Sequence, residues 1–209
     1  MKKRKSFIKL RQAAEQGDLE AQFDLGAAYD FGEGVAEDKA EAVKWYRLAA
    51  EQGLAEAQCN LGLAYDSGEG LPKDKAEAVK WYRLAAEQGH AQAQNNLGWQ
   101  YRNGEGVVED KAEAIKWFSL AAAQGHVYGQ CNLGKAYASG EGVAEDKAEA
   151  VKWFSLAAAQ GDAWAQCKLG EAYASGEGVA VDKAEAVKWY RLAAAQGEAE
   201  ARDWLEKNL

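Results

Sequence analysis

The chain has one proline, three cysteines and no apolar run approaching the roughly 20 residues that cross a bilayer. It also lacks a basic excess: 25 lysines and arginines face 33 acids, for a formal net charge of −8. Each shortage excludes something. No segment reads as a membrane span. So little proline rules out collagen, despite 22 glycines. Three cysteines are too few for a disulfide framework, and an odd number leaves one unpaired, so a reducing, cytoplasmic setting is expected. The acidic balance argues against nucleic acid, whose binding needs a basic stripe to displace counterions. Only the N-terminus departs from this, with Lys2, Lys3, Arg4, Lys5, Lys9 and Arg11. Phe7-Ile8 is interrupted at once by Lys9, so no apolar h-region of a signal peptide follows. A solvated, frayed helix end explains the arm better than a nuclear signal or a lipid contact.

What the chain has in abundance is period. Trp45, Trp81, Trp117, Trp153 and Trp189 recur every 36 residues. So do Leu25, Leu61, Leu97, Leu133 and Leu169, each followed by glycine, and Tyr29, Tyr65, Tyr101, Tyr137 and Tyr173. Periods of about 20 to 50 residues signal solenoids, whose units bury their apolar faces on their neighbours. The units run 18–53, 54–89, 90–125, 126–161 and 162–197. Residues 39–53 and 75–89 are identical, which implies recent duplication or consensus engineering.

Each unit holds two helix signals and no strand run. In the first, helix A runs from about Asp18 to Tyr29, with Ala21, Gln22, Leu25, Gly26, Ala28 and Tyr29 on one side. Gly32 and Gly34 stop it. Helix B opens at Asp38 with Glu41 three residues on, the signature of a capping box in which Asp accepts from the backbone and Glu reaches back. Gly26 inside a helix costs about 1 kcal/mol against alanine, so its recurrence points to close approach of helix B. Residues 6–17 match a lone helix B and 198–209 a lone helix A. Lys9 there replaces tryptophan and Glu206 replaces glycine, as polar caps would. The expected fold is all-α, one solenoid domain over 1–209: five helix-turn-helix repeats flanked by single N- and C-terminal helices, twelve helices in all.

The pattern A-x-A-Q-x-x-L-G-x-x-Y, then G-x-G-V-x-x-D, then K-A-x-x-W-[YF]-x-x-A-A-x-Q-G resembles the Sel-one-like repeat, a tetratricopeptide-related α/α-solenoid family. Residues 54–64, LAEAQCNLGLA, show it well, and the match covers about 6–209. The resemblance implies a right-handed superhelix with helix A lining the concave face, and adaptor or scaffold work with partners held in the groove. Cysteine-rich members carry paired cysteines that staple each hairpin; these pairs are absent here.

Residues suited to chemistry are sparse, and no catalytic residue, metal or cofactor is assigned. His90 and His126 occupy the place before helix A that Asp18 and Asp162 hold elsewhere, so capping explains all four. Cys59, Cys131 and Cys167 share one helix-A position and read as small, half-buried residues; a zinc site would need a fourth ligand. The loop DFGEGVAED at 30–38 lacks the alternating carboxylates of a calcium loop, so its acids read as capping and solvated residues.

The five copies differ mainly on one wedge of helix A. In unit one the variable places are Glu20, Phe23, Asp24, Ala27, Asp30 and Phe31. The candidate binding residues on this face are Glu20, Phe23 and Asp24; Glu56, Asn60 and Leu63; Gln92, Asn96, Trp99 and Arg102; Tyr128, Asn132 and Lys135; and Trp164, Lys168 and Glu171. Trp99, Tyr128 and Trp164 lie outside the core pattern and belong to types enriched at binding hot spots. Asn60, Asn96 and Asn132 form a ladder whose amides can pair with a peptide backbone. Acids concentrate in the first two units, with Asp30 and Asp66; Arg102, Lys135 and Lys168 make the later ones more basic. The expected function is a monomeric, non-enzymatic scaffold for an extended peptide or a partner protein. The alternative is a structural or consensus-engineered solenoid with no ligand.

Overall fold

A computed structural model describes residues 2–209, with side chains from Phe7 onward. Lys2, Lys3, Arg4 and Lys5 of the basic arm therefore lie outside the described side chains. Among the described residues there are twelve helices and no strand: α1 Lys2–Glu15, α2 Leu19–Phe31, α3 Lys39–Glu51, α4 Ala55–Ser67, α5 Lys75–Glu87, α6 Ala91–Asn103, α7 Lys111–Ala123, α8 Val127–Ser139, α9 Lys147–Ala159, α10 Ala163–Ser175, α11 Lys183–Ala195 and α12 Ala199–Asn208. This is the all-α repeat solenoid the period calls for. Helix A runs two residues past the expected Tyr29 in the first repeat, because Gly32 and not Phe31 takes the left-handed cap at φ 70°. The helices pack as two compact units, Met1–Glu109 and Asp110–Leu209.

In the first unit, α2 packs on α3 and α4 on α5 as hairpins, while α3·α4 and α5·α6 join successive repeats. The helix-A glycine makes the hairpin possible. A Cβ on Gly26 would lie 2.7 Å from the Tyr46 ring, and one on Gly62 would lie 2.6 Å from Tyr82. The second unit repeats this with Phe154 on Gly134 and Tyr190 on Gly170. Small residues complete the interface: Ala21, Ala42, Ala49 and Ala50 are all buried. The periodic tryptophans lie over the joints, Trp45 on Leu25 and Ala14, Trp189 on Leu169 and Ala157. Their indole nitrogens are buried without an acceptor, so packing holds them, with Lys188 Nζ over the Trp189 ring at 5.2 Å.

A glutamine relay fixes one repeat on the next. Gln58 in α4 donates from Nε2 to the Ala50 carbonyl at the end of α3 at 3.1 Å, and its Oε1 accepts from Gln88 at 2.7 Å. In the second unit Gln166 donates to Ala158 O at 3.2 Å and accepts from Gln196 at 2.9 Å. These helix-end carbonyls also accept the Gly53 and Gly161 N–H groups at 3.0 Å, so the glutamine takes up a second lone pair and ties it to the next repeat. The loops lock the same joint. Gly70 has φ 75°, and a Cβ there would overlap the Lys39 carbonyl of the preceding repeat. The loop acids are not merely solvated: Glu105 pairs with Lys75 at 2.8 Å and Glu141 with Lys111 at 3.0 Å.

The expected capping box is half formed. Asp38 Oδ1 accepts from the Glu41 N–H at 2.9 Å, but Glu41 turns to Lys44 at 2.6 Å instead of reaching back. The Asp38 N–H that it would have bound already donates to the Tyr29 carbonyl at 2.9 Å, which ties the loop across the hairpin. At helix A, Asp18 and Asp162 cap at 2.8 and 2.7 Å, whereas Glu198 makes no side-chain cap bond.

Two stability outcomes follow from this packing. Gly62→Ala should destabilise the protein by about 2 kcal/mol, since the Tyr82 ring must move off a rigid backbone. Glu198→Asp should add a helix cap and stabilise by about 1 kcal/mol. Urea unfolding followed by far-ultraviolet circular dichroism reads both.

Candidate functional site

The variable wedge divides once the helices pack. Glu20, Asp24, Glu56 and Gln92 are exposed in the first unit, as is Trp99 at 46%. Phe23, Asn60, Leu63, Asn96 and Arg102 are half-buried there. In the second unit Tyr128 is 65% exposed and Lys135 and Glu171 are exposed, while Asn132, Trp164 and Lys168 are half-buried. The half-buried members lean on neighbouring helices. Phe23 lies 5.8 Å from the Tyr46 ring of its own repeat, and Trp164 packs edge-on to Phe154 of the preceding repeat at 5.5 Å. Trp164 is thus part of a joint as well as of the surface.

Between successive repeats the wedge residues line cavities. In the first unit Asn60 and Leu63 join Asp30, Lys39 and Tyr46 around about 320 Å³. Leu63, Asn96 and Trp99 join Asp66 and Gln100 around about 170 Å³. Asp24 lines a wider hollow with Phe7, Leu10 and Phe31. In the second unit Lys135, Trp164, Lys168 and Glu171 surround about 290 Å³. Lys168 and Glu171 also border a cleft with Cys167, Glu200 and Trp204.

The charges differ from their sequence pattern. Asp30 accepts from Lys39 Nζ at 3.0 Å and from the Tyr46 hydroxyl at 3.2 Å. Asp66 pairs with Lys75 at 2.5 Å. These two acids are matched by helix-B lysines, so the acidity of the first two repeats rests on Glu20, Asp24 and Glu56. Lys168 pairs with Glu171 at 2.9 Å and Glu200 at 3.5 Å. The asparagine ladder faces inward: Asn60 lies within reach of the Tyr46 hydroxyl, and the Asn96 Nδ2 is buried without an acceptor. Burial, then the neighbouring Asp30 carboxylate, push the Tyr46 phenol upward, so it stays a donor. Gln100 was not legible as a site residue, because its place is an alanine in the other repeats. It is 1% exposed and donates to Asp66 at 2.9 Å across the joint. Its only signal in the sequence was that one departure.

The cysteines are buried rather than half-exposed: Cys59, Cys131 and Cys167 are free thiols at 1, 9 and 2% exposure. Their helix-A position points at the next helix A. Cys131 donates to Asp162 at 3.5 Å. Burial pushes Cys59 and Cys131 up to about 12 and Cys167 to about 11, so the thiolate is suppressed. His90 and His126 are helix caps, accepting through Nδ1 from Ala93 and Gly129 at 3.2 Å. Among the described residues no three His, Cys, Asp or Glu side chains gather as a metal would require. No helix among them is long and apolar enough to cross a membrane.

Sel1 repeat models match residues 19–54, 55–90, 91–126, 127–162 and 165–198. The chain belongs to the Sel1 repeat family. Sel1 repeat proteins of known structure share its fold. A protective antigen of uropathogenic Escherichia coli displaying an SLR fold is 43% identical over 92% of this chain, with a TM-score of 0.89. A Sel1 repeat protein from Oxalobacter formigenes is 38% identical over 97%, with a TM-score of 0.89. The immunity protein Pa5087 from Pseudomonas aeruginosa is 25% identical over 88%, with a TM-score of 0.57. The chain spans 41% and 59% of the first two proteins and 67% of the third. No curated protein is similar to it in sequence.

Two solution tests read these groups. All three thiols should resist a thiol reagent at mildly alkaline pH until urea unfolds the chain; rapid labelling of the folded protein would contradict their burial. Burial also holds the His90 imidazole below its ordinary 6.5. A cap acceptor must be neutral, so its stabilisation is complete above 6.5 and is lost as pH falls through the lower folded-state value. His90→Asp should therefore reduce the fall in stability on acidification below 6.5, measured by urea midpoints across pH.

Proposed function

We propose that this Sel1 repeat chain is a monomeric, non-enzymatic scaffold that holds an extended peptide or a partner protein on the variable face of its A helices. One observation carries the reading: residues that differ between copies line the cavities between successive repeats, in two of them above a floor of nearly constant helix-B residues. The other constant residues are consumed elsewhere, in the ring-on-glycine contact, the glutamine relay and the caps. What remains is a surface whose scaffold is repeated and whose chemistry is not, the arrangement by which repeat proteins present extended binding faces. The free thiols fit a reducing, cytoplasmic compartment.

Half-exposed Trp99 is the strongest anchor of the first unit, with Leu63 beside it in the same cavity. Tyr128, which stands farther into solvent, adds contact area in the second unit.

Selection of a random peptide library on the immobilised protein should yield saturable ligands. Trp99→Ala should weaken a ligand seated on the first unit by about 2 kcal/mol, with helicity unchanged. If selected ligands bind Trp99→Ala, Tyr128→Ala and the parent equally, the ligand uses another surface. If no saturable ligand emerges, the chain is a structural solenoid.

A further inference from the structure

Two of the cavities occupy the same place in the repeat, one between the first and second repeats and one between the fourth and fifth. Their floors correspond: Ala42, Val43 and Tyr46 in one, Ala150, Val151 and Phe154 in the other. Their polar chemistry does not. In the first, Asp30 accepts from both Lys39 and the Tyr46 hydroxyl, so the polar groups satisfy one another. In the second, Ala138 stands where Asp30 stood and Phe154 where Tyr46 stood, so acid and hydroxyl are gone together. Lys168 replaces Asn60.

The charge balance inverts. The first cavity carries one lysine against two acids, Asp30 and Glu69. The second carries Lys135, Lys147 and Lys168 against Glu171 and Glu177. Lys147 has lost the close acid that Lys39 enjoys and reaches only Glu177 at 3.5 Å and Glu145 at 3.7 Å. Lys135 is exposed and forms no ion pair among the described residues. Between these lysines the floor is apolar, with Phe154 edge-on to Trp164. The volume, about 290 Å³, falls just below the range of about 300–1,000 Å³ for sites that enclose a drug-sized ligand. It suits a side chain whose parent chain stays outside.

We propose that the cavity between the fourth and fifth repeats anchors an acidic peptide by one aromatic or branched apolar side chain, with the flanking carboxylates held by Lys135, Lys147 and Lys168. This rests on the scaffold reading and narrows it to one joint and one ligand class. The apolar side chain covers Phe154 and Trp164 and gains by leaving water. The carboxylates gain most at Lys135 and Lys147; at Lys168 they exchange for Glu171 or Glu200. Because the charges ring the mouth, they set orientation and register, and they raise affinity chiefly by speeding association. The related cavity of the first two repeats, with its acid already paired and its excess negative, rejects the same ligand.

The test uses the full chain and three fluorescent peptides in a glycine-serine frame: Glu-Glu-Phe-Glu-Glu, the same with lysine for glutamate, and the same with alanine for phenylalanine. Anisotropy titration at low salt should show the first binding at least about tenfold tighter than either control. Lys135→Glu, and the double variant Ala138→Asp with Lys168→Asn that restores the acid and the asparagine of the first cavity, should each weaken it about tenfold, with the circular dichroism spectrum of the parent. Lys152→Glu, an exposed helix-B lysine outside the cavity, should leave it within about twofold. Equal binding of all three peptides overturns the inference, as does equal loss with Lys152→Glu, which would mark non-specific charge attraction. Competition by sodium decanoate as strong as that of the unlabelled acidic peptide would assign the cavity to acyl anions and overturn it too. If the acidic peptide keeps its affinity in every cavity variant while library ligands still lose theirs with Trp99→Ala, this inference falls and the scaffold reading stands.

Discussion

The seating of one aromatic ring on one bare stretch of helix is the contact on which the repeats depend. Tyr46, Tyr82, Phe154 and Tyr190 each press against a glycine in the preceding helix A, at distances that leave no space for a methyl group. Glycine inside a helix loses conformational entropy on folding, so its recurrence is sustained only by what the ring gains in return. That gain is a close hairpin, and the alanines at Ala42, Ala49 and Ala50 follow from it, because a large side chain would wedge the helices apart.

The glutamines then tie one hairpin to the next. Gln58 and its equivalents bring an amide to the end of the preceding helix B, donate to a carbonyl that also closes the helix turn, and accept from the glutamine that ends the following helix B. A buried amide with donor and acceptor both engaged rigidifies the joint; half engaged it would be a liability. The loop glycine resting on the Lys39 carbonyl and the Lys75–Glu105 pair hold the same joint from its other end. Most constant residues are thereby occupied, and the repeats change their chemistry mainly on the wedge of helix A, with buried Gln100 as a departure.

That division shapes the candidate binding surface. Positions on the wedge of helix A vary, yet they are not equivalent. Some, such as Trp99 and Tyr128, extend into solvent. Others, such as Trp164, Lys168 and Asn96, lean into a joint and share a cavity with the aromatic ring of helix B. Where Ala138 stands in place of Asp30, the helix-B lysine has no carboxylate at that position to pair with. A solenoid can therefore reset the charge of one joint without touching its architecture.

Helix number, the 36-residue repeat, the need for glycine at Gly26, the capping roles of Asp38 and His90 and the location of the variable wedge were all legible in the residue order. They arise from short-range periodicity and local backbone chemistry, which a one-dimensional pattern carries. The pairing of Asp30 with Lys39, the turning of Glu41 toward Lys44, the burial of the three thiols and the role of Gln100 were not. Glu41 turns to Lys44 of its own helix because the Asp38 N–H is already taken by the Tyr29 carbonyl of the other helix; the rest depend on which side chains from another helix pack alongside, and residues nine to thirty-four positions apart meet only once the hairpins have closed and stacked. The order of residues settled which face of each helix was free to differ; the packing settled which of those differences are still exposed to a partner.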